Sequence, residues 1–222
     1  MIYAYAICEP TVAVAALRHR GLGGARLRAV ERGGLAAVFS RHRSLRPSPT
    51  PELLFAHERV VEAIMERGAV MPLRFGTELE RENQLEALLA ARRDELLRSL
   101  ERVRGKAELG IRLIPEGETL RRRPVEPTGR DYLLARVSAD RLYHDAIREV
   151  HATLAPLSTA SRVRQPRTPP AILAASYLVD SARVAEFREQ ADRLARRQAG
   201  MKVLVTGPWP PYSFATPDND ED

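Results

Sequence analysis

Ala25-Arg26-Leu27-Arg28-Ala29-Val30-Glu31-Arg32-Gly33-Gly34-Leu35-Ala36-Ala37-Val38-Phe39 reads as two strands folded back on one another. Ala25 to Glu31 and Leu35 to Phe39 are strand-like, and Arg32-Gly33-Gly34 between them has the chemistry of a tight hairpin turn. Towards the start of the chain, Ile2 to Cys8 is a short strand, and Thr11 to His19 a short helix ending at Gly21. In the other direction, Thr50 suits an N-cap and Pro51 the first helical position, where its missing N–H costs nothing. Leu53, His57, Val60, Val61 and Ile64 then share one helix face, and Gly68 is expected to end that helix in the left-handed conformation. Ala69 to Phe75 is a strand. The hairpin therefore sits at the centre of a β-α-β-β-α-β order, the ferredoxin-like arrangement.

The same order recurs further on. Ala107 to Ile114 is a strand, and Gly129 to Leu154 a helix with Tyr143, Ile147, Val150 and Leu154 on one stripe. Ser158 to Arg164 and Ile172 to Val179 are strands, and Ser181 caps a helix carrying Val184, Phe187, Ala191 and Leu194 up to Gly200. Met201 to Thr206 is the last strand. Between the two halves, Thr77 and Glu80 have capping-box spacing and open one long helix that ends near Gly105. Leu85, Leu88, Leu89, Leu96, Leu100 and Val103 form its narrow apolar stripe, and at 1.5 Å per residue it spans ~40 Å. The expected fold class is α+β: two ferredoxin-like domains joined by a long helix. Residues 1–76 form the first domain, 77–104 the connecting helix, 105–214 the second domain and 215–222 an acidic disordered tail.

Composition narrows the function classes. A chain of 222 residues is long enough to bury about 70% of the surface its unfolded form exposes, so it needs no disulfide or metal staple. Cys8 is the single cysteine and leaves no internal disulfide to form. No apolar run approaches the ~20 residues of a membrane span, and the first residues lack a leader pattern, so a soluble, cytoplasmic protein without membrane contact is expected. The net charge is +6, and apart from Lys106 and Lys202 every cation is arginine. Many arginines alternate with carboxylates, as in Arg92-Arg93-Asp94-Glu95, which marks a solvated helix face. Two runs are locally basic, Arg121-Arg122-Arg123 and Arg162 to Arg167, and the end, Asp218 to Asp222, is acidic.

Little of this points to catalysis. His144 and His151 lie on one helix with Asp140, but Arg148 shares their strip and would oppose a cation, so no metal and no cofactor are expected. His57 lies on a buried stripe and reads as a hydrogen-bonded core histidine rather than a base. Cys8 in a first strand lacks a basic partner and is not expected to be a nucleophile. There is no His-Glu-x-x-His, P-loop or G-x-S-x-G pattern, so no enzyme is expected and no catalytic residue is named. A basic ferredoxin-like module could instead bind nucleic acid, but such sheets stack bases on aromatics, and aromatics make up only 5% of this chain.

Two proline-aromatic segments stand out. Gly207-Pro208-Trp209-Pro210-Pro211-Tyr212-Ser213-Phe214 follows the last strand, where its prolines cannot continue a ladder. They hold the chain extended and present Trp209, Tyr212 and Phe214 with little entropy left to lose on packing. Met71-Pro72-Leu73-Arg74-Phe75-Gly76-Thr77 occupies the matching place in the first half. The two segments are expected to meet at one place, either as a plug on the protein's own core or as a contact surface for a partner.

At this point the chain resembles the gas vesicle protein L/F family. Val205 to Phe214 is similar to the family's carboxy-terminal signature, Val70 to Thr77 to its second signature, and His57 to a position just upstream of it. Gly105-Lys106-Ala107-Glu108-Leu109-Gly110-Ile111-Arg112 resembles its Gly-Lys-x-Glu strand, with Leu109 where an aromatic and Arg112 where lysine is frequent. Gly129 to Leu134 and Ser176 to Val179 are similar to two weaker blocks. The resemblance implies an accessory protein and minor component of gas vesicles that binds the apolar major shell protein and other accessory proteins during assembly. On that expectation Phe75, Arg74, Trp209, Tyr212 and Phe214 contact the partner in an apolar groove between the two domains. Pro72, Gly76, Gly207, Pro208, Pro210 and Pro211 shape the two segments. The polar face of the helix from Thr77 to Arg104 is a second expected contact surface.

Overall fold

Residues 1–43, 49–116, 129–164, 166, 170–198 and 200–215 are described by the structure, a computed structural model of the chain. The chain packs as two units, Met1–Lys106 with Trp209–Asp222 and Ala107–Pro208. Unit 1 contains β1 (Ile2–Cys8), α1 (Pro10–Ala16), β2 (Leu27–Arg32), β3 (Leu35–Arg41), α2 (Pro51–Met65), β4 (Val70–Pro72), β5 (Glu78–Leu79), α3 (Glu82–Ala91) and α4 (Arg93–Val103). Unit 2 is built on β6 (Lys106–Pro115), α5 (Gly129–Leu154), β7 (Ala160–Arg164), β8 (Leu173–Asp180), α6 (Val184–Arg197) and β9 (Met201–Trp209). The linker residues 117–128 with Arg121-Arg122-Arg123, Gln165 and Arg167 of the run from Arg162 to Arg167, the Asp140 side chain and tail residues 216–222 lie outside the described residues, whereas Ala215, expected in the tail, is buried in the unit 1 core.

The fold is mixed α/β with two antiparallel sheets, ordered β2-β3-β1-β4 and β7-β8-β6-β9. The hairpin pairs Arg32 with Leu35 across Gly33 and Gly34, whose φ values of 61° and 83° are those a two-residue turn requires. In β1 a bulge falls between Ala4 and Ala6. Its extra residue switches the alternation, so Tyr3, Tyr5, Ala6 and Cys8 all face the core under α1 and α2, while Ile2, Ala4 and Ile7 face the opposite side. That opposite side is closed by Leu85 and Leu89 of α3 and Leu96 and Leu100 of α4. Unit 1 is therefore three layers, with helices on both faces of the sheet. In unit 2 one core unites α5, α6 and a single sheet face through Val150, Leu154, Phe187, Leu194, Ile111 and Tyr177.

Several expectations are corrected. The long helix is two helices, broken at Arg92 (φ −112°, ψ 19°), and both pack on unit 1 instead of joining two domains. The break is held from outside the helix. Arg93 Nε donates to the Gly33 carbonyl in the hairpin turn at 2.8 Å, and Arg92 clasps Glu95. The helix starts after Arg81, not at Thr77; Gln84 Oε1 accepts from the Glu80 and Arg81 N–H groups, and Thr77 Oγ1 closes a turn on Arg74 O. The strand expected over Ala69 to Phe75 stops at Pro72 and resumes as β5, because the turn Arg74–Thr77 loops out between them. Gly68 is absent from the positive-φ glycines. Its reason is space, since a Cβ there would stand 2.7 Å from Val12 Cγ2. Ser181 begins a short 3-10 turn rather than capping α6, and β9 continues through Pro208 to Trp209. Thr50 does cap α2, its Oγ1 accepting from Leu53 N at 3.4 Å.

Candidate functional site

The amphipathic phase of α2 turns His57 inward, where it is 1% exposed. Burial pushes its pKa down to about 4, against the opposing hydrogen bond to Leu73 O, so the ring is neutral. The proton positions then follow. Nε2 is 3.1 Å from the Leu73 carbonyl, which can only accept, so Nε2 carries the hydrogen. Nδ1 is left to accept from Tyr3 O–H at 2.9 Å, and Tyr3 Oη in turn accepts from Gly76 N–H at 3.1 Å. One relay thus ties β1, α2 and both sides of the Arg74–Thr77 turn together. Gly76 occupies the third position of that turn with φ 88°, a conformation few side chains tolerate.

The second proline-aromatic segment reaches the same histidine. His57 lies 5.9 Å from the Phe75 ring and 6.4 Å from the Tyr212 ring, so the two segments meet there. Pro210 and Pro211 are buried, and their carbonyls accept from Tyr212 N at 2.8 Å and from Phe214 N at 3.0 Å, turning the chain inward. Tyr212 Oη donates to Glu58 at 2.8 Å. Burial holds the Glu58 carboxyl above its usual range, and burial beside that carboxylate raises the Tyr212 phenol. Arg102 closes the segment by donating to the Phe214 carbonyl.

The expected partner-contact residues thus separate. Phe214 is 2% exposed, in unit 1's own interior, and is a packing residue rather than a groove wall. Phe75 is partly buried against the α1/α2 core, Tyr212 is partly buried, and Arg74 is exposed. Of the aromatics expected to contact a partner, Trp209 alone is open, at 45%. Pro72 is buried in β4 opposite Ala6, Gly207 has φ 97° and accepts from Arg188, and Pro208 is exposed.

Two exposed apolar residues escaped the sequence reading, Leu54 and Phe55, the latter 67% exposed. They stand one turn before Glu58, the residue that holds Tyr212. Their signal was legible, for they fall off the Leu53-His57-Val60-Ile64 stripe. Tyr3 and Glu58 were missed because no local pattern reveals hydrogen bonds between residues 54 apart, as from Tyr3 to His57, or 154 apart, as from Tyr212 to Glu58. Cys8 is buried, and burial pushes its thiol up to about 12. Nothing activates it. His151 meets Tyr177 Oη at 3.2 Å and His144 is exposed; no group of metal ligands occurs among the described residues. No helix among the described residues is long and apolar enough to cross a membrane.

The family profile described as "Gas vesicle synthesis protein GvpL/GvpF" matches residues 1–216. Gas vesicle protein L of Streptomyces sp. is 30% identical over 246 residues, covering 96% of this chain and 92% of that protein. Gas vesicle protein F2 of Halobacterium salinarum is 29% identical over 217 residues, covering 96% of this chain and 91% of that one. The crystal structure of the gas vesicle protein GvpF from Anabaena sp. superposes with a TM-score of 0.82 at 18% identity, over 100% of this chain and 98% of that one. The GvpF crystal structure from Microcystis aeruginosa gives 0.78 at 18% identity, over 97% and 98%. At such identities the two structures speak for the fold.

Proposed function

The chain belongs to the GvpL/GvpF family of gas vesicle synthesis proteins, and from that membership we propose that it is an accessory protein of gas vesicle assembly that binds the apolar major shell protein. Other accessory proteins are further partners, the place of action is the cytoplasm and the growing vesicle, and the role is binding rather than catalysis. Each unit is read as ferredoxin-like, which its strand order supports.

The observation that carries the proposal is the open indole of Trp209 at the head of the buried Pro210-Pro211 pair. Rigid aromatics on a fixed backbone lose little entropy on docking. Leu54 and Phe55 extend the apolar surface of unit 1 near the Tyr212–Glu58 contact. Very apolar subunits associate unselectively when free, and a small set of open hydrophobes can hold one until it is placed. The relay at His57 serves by fixing the Phe75 turn and the segment after Trp209. A nucleic-acid role has less support. Helices cover both faces of unit 1's sheet, and the exposed end of unit 2's second face, with Arg112, Arg164, Lys202 and Leu204, bears no aromatic among the described strand residues.

Co-expression with the major shell protein followed by affinity pull-down tests the proposal. The wild-type chain is expected to retain shell protein in the soluble fraction. Trp209→Ala together with Phe55→Ala should reduce recovery at least about fivefold, as expected for losing central aromatic anchors, while the thermal midpoint stays near wild type. Undiminished recovery from a folded double variant refutes the assigned surface.

A further inference from the structure

The two units treat the same sheet order differently. In unit 1 the face turned away from α1 and α2 is closed by α3 and α4, whose leucines sit on the strands. In unit 2 α5 and α6 close one face. On the second face of unit 2 the end that bears Glu108 and Leu178 is buried, while the end that bears Arg112, Arg164, Lys202 and Leu204 is exposed.

Strand alternation identifies what that face carries. Leu109, Ile111 and Leu113 of β6 enter the core, so Arg112 and Ile114 point the other way. Met201 and Val203 of β9 enter the core, which leaves Lys202 and Leu204 on the second face. In the register of β7 and β8, Arg164 stands opposite Ala174, between positions that face the core. Bonds from Ile172 N to Leu113 O and from Glu116 N to Gly200 O, both 2.8 Å, bring these positions to one end of the sheet. Arg112, Arg164, Lys202 and Leu204 are exposed, and among the described residues none of the three cations is held by a carboxylate.

We propose that the open end of this face of unit 2 docks an acidic amphipathic helix of a partner protein. Unit 1 displays the type of element that seats on such a sheet, a helix with leucines a turn apart. The three free cations select its charge: carboxylates flanking the apolar stripe meet Arg112, Arg164 and Lys202, while the stripe rests on Ile114, Ala174 and Leu204. This surface goes beyond the proposed shell-protein contact and does not depend on it.

The test uses the full chain and two synthetic amphipathic helices with one leucine stripe, one carrying glutamate and the other lysine on the polar face. The glutamate helix is expected to bind and to protect amides of β6 and β9 from hydrogen exchange, and the lysine helix to do neither. Arg112→Glu with Lys202→Glu should weaken binding about tenfold or more, whereas Arg18→Glu with Arg67→Glu on unit 1 should leave it unchanged. The neutral pair Arg112→Gln with Lys202→Gln, which disturbs folding least, should give an intermediate loss. The proposal is overturned by equal loss in both reversals, which would indicate only attraction to a basic chain. Protection confined to other elements also overturns it, as does capture of a single-stranded oligonucleotide by these cations without capture of the helix. Binding that appears only after residues 216–222 are removed assigns the face to the chain's own acidic end instead.

Discussion

His57 is a buried titratable group whose two nitrogens are both committed, to Tyr3 O–H and to the Leu73 carbonyl. A folded pKa of about 4 against an ordinary 6.5 means that the unfolded chain takes up a proton first. Its contribution to stability is therefore complete above about pH 6.5 and is lost as the pH falls towards 4, a total of roughly 3 kcal/mol at 1.36 kcal/mol per unit. Glu58, raised by burial, acts in the opposite sense: its carboxyl is easier to bury protonated, so its contribution is lost as the pH rises. The difference between wild type and His57→Gln isolates the histidine. Urea midpoints between pH 7.5 and 4.5 should fall more steeply for wild type than for the variant, although the variant is less stable throughout; parallel curves would refute the assignment.

At the scale of elements, the Gly68 approach to Val12 makes a testable distinction. If space is the constraint, Gly68→Ala should cost about 1–3 kcal/mol by overpacking, and most of that cost should vanish in a Val12→Ala background. A left-handed backbone would penalise alanine equally in both, and chemical denaturation of the four proteins separates the cases. Elements governed by neighbouring residues were legible in the sequence: the Gly33-Gly34 hairpin, the Thr50-Pro51 start of α2, the stripe that buries His57, and the convergence of two proline-aromatic segments. Elements governed by distant partners were not. The break at Arg92 is pinned by Arg93 reaching a carbonyl 60 residues away in the chain, while the leucine stripe on either side remains compatible with one helix. The interruption between β4 and β5 depends on the relay through Tyr3, and the burial of Phe214 on a site 112 residues away at Arg102. Periodicity reports which face of an element is apolar, but not which part of the chain will cover it.

At the scale of the whole molecule, the last described segment completes the first unit. Ala215 joins the core of Ile2, Phe39 and Leu100, and Tyr212 bonds to α2. Ending the chain after Pro208 should therefore destabilise unit 1 selectively, by at least the 3–5 kcal/mol typical of losing one buried phenylalanine. Hydrogen exchange should quicken in β1 and α2 and stay near wild type in β8; uniform quickening would show that the units do not respond separately. A second consequence concerns the order of synthesis. Domains made first usually fold first, while the remainder is still being translated. Here the early half must wait with an open seam until residue 215 has emerged, so a polypeptide cut short by the ribosome bears its own mark of incompleteness, an unsealed apolar surface available to proteases and chaperones.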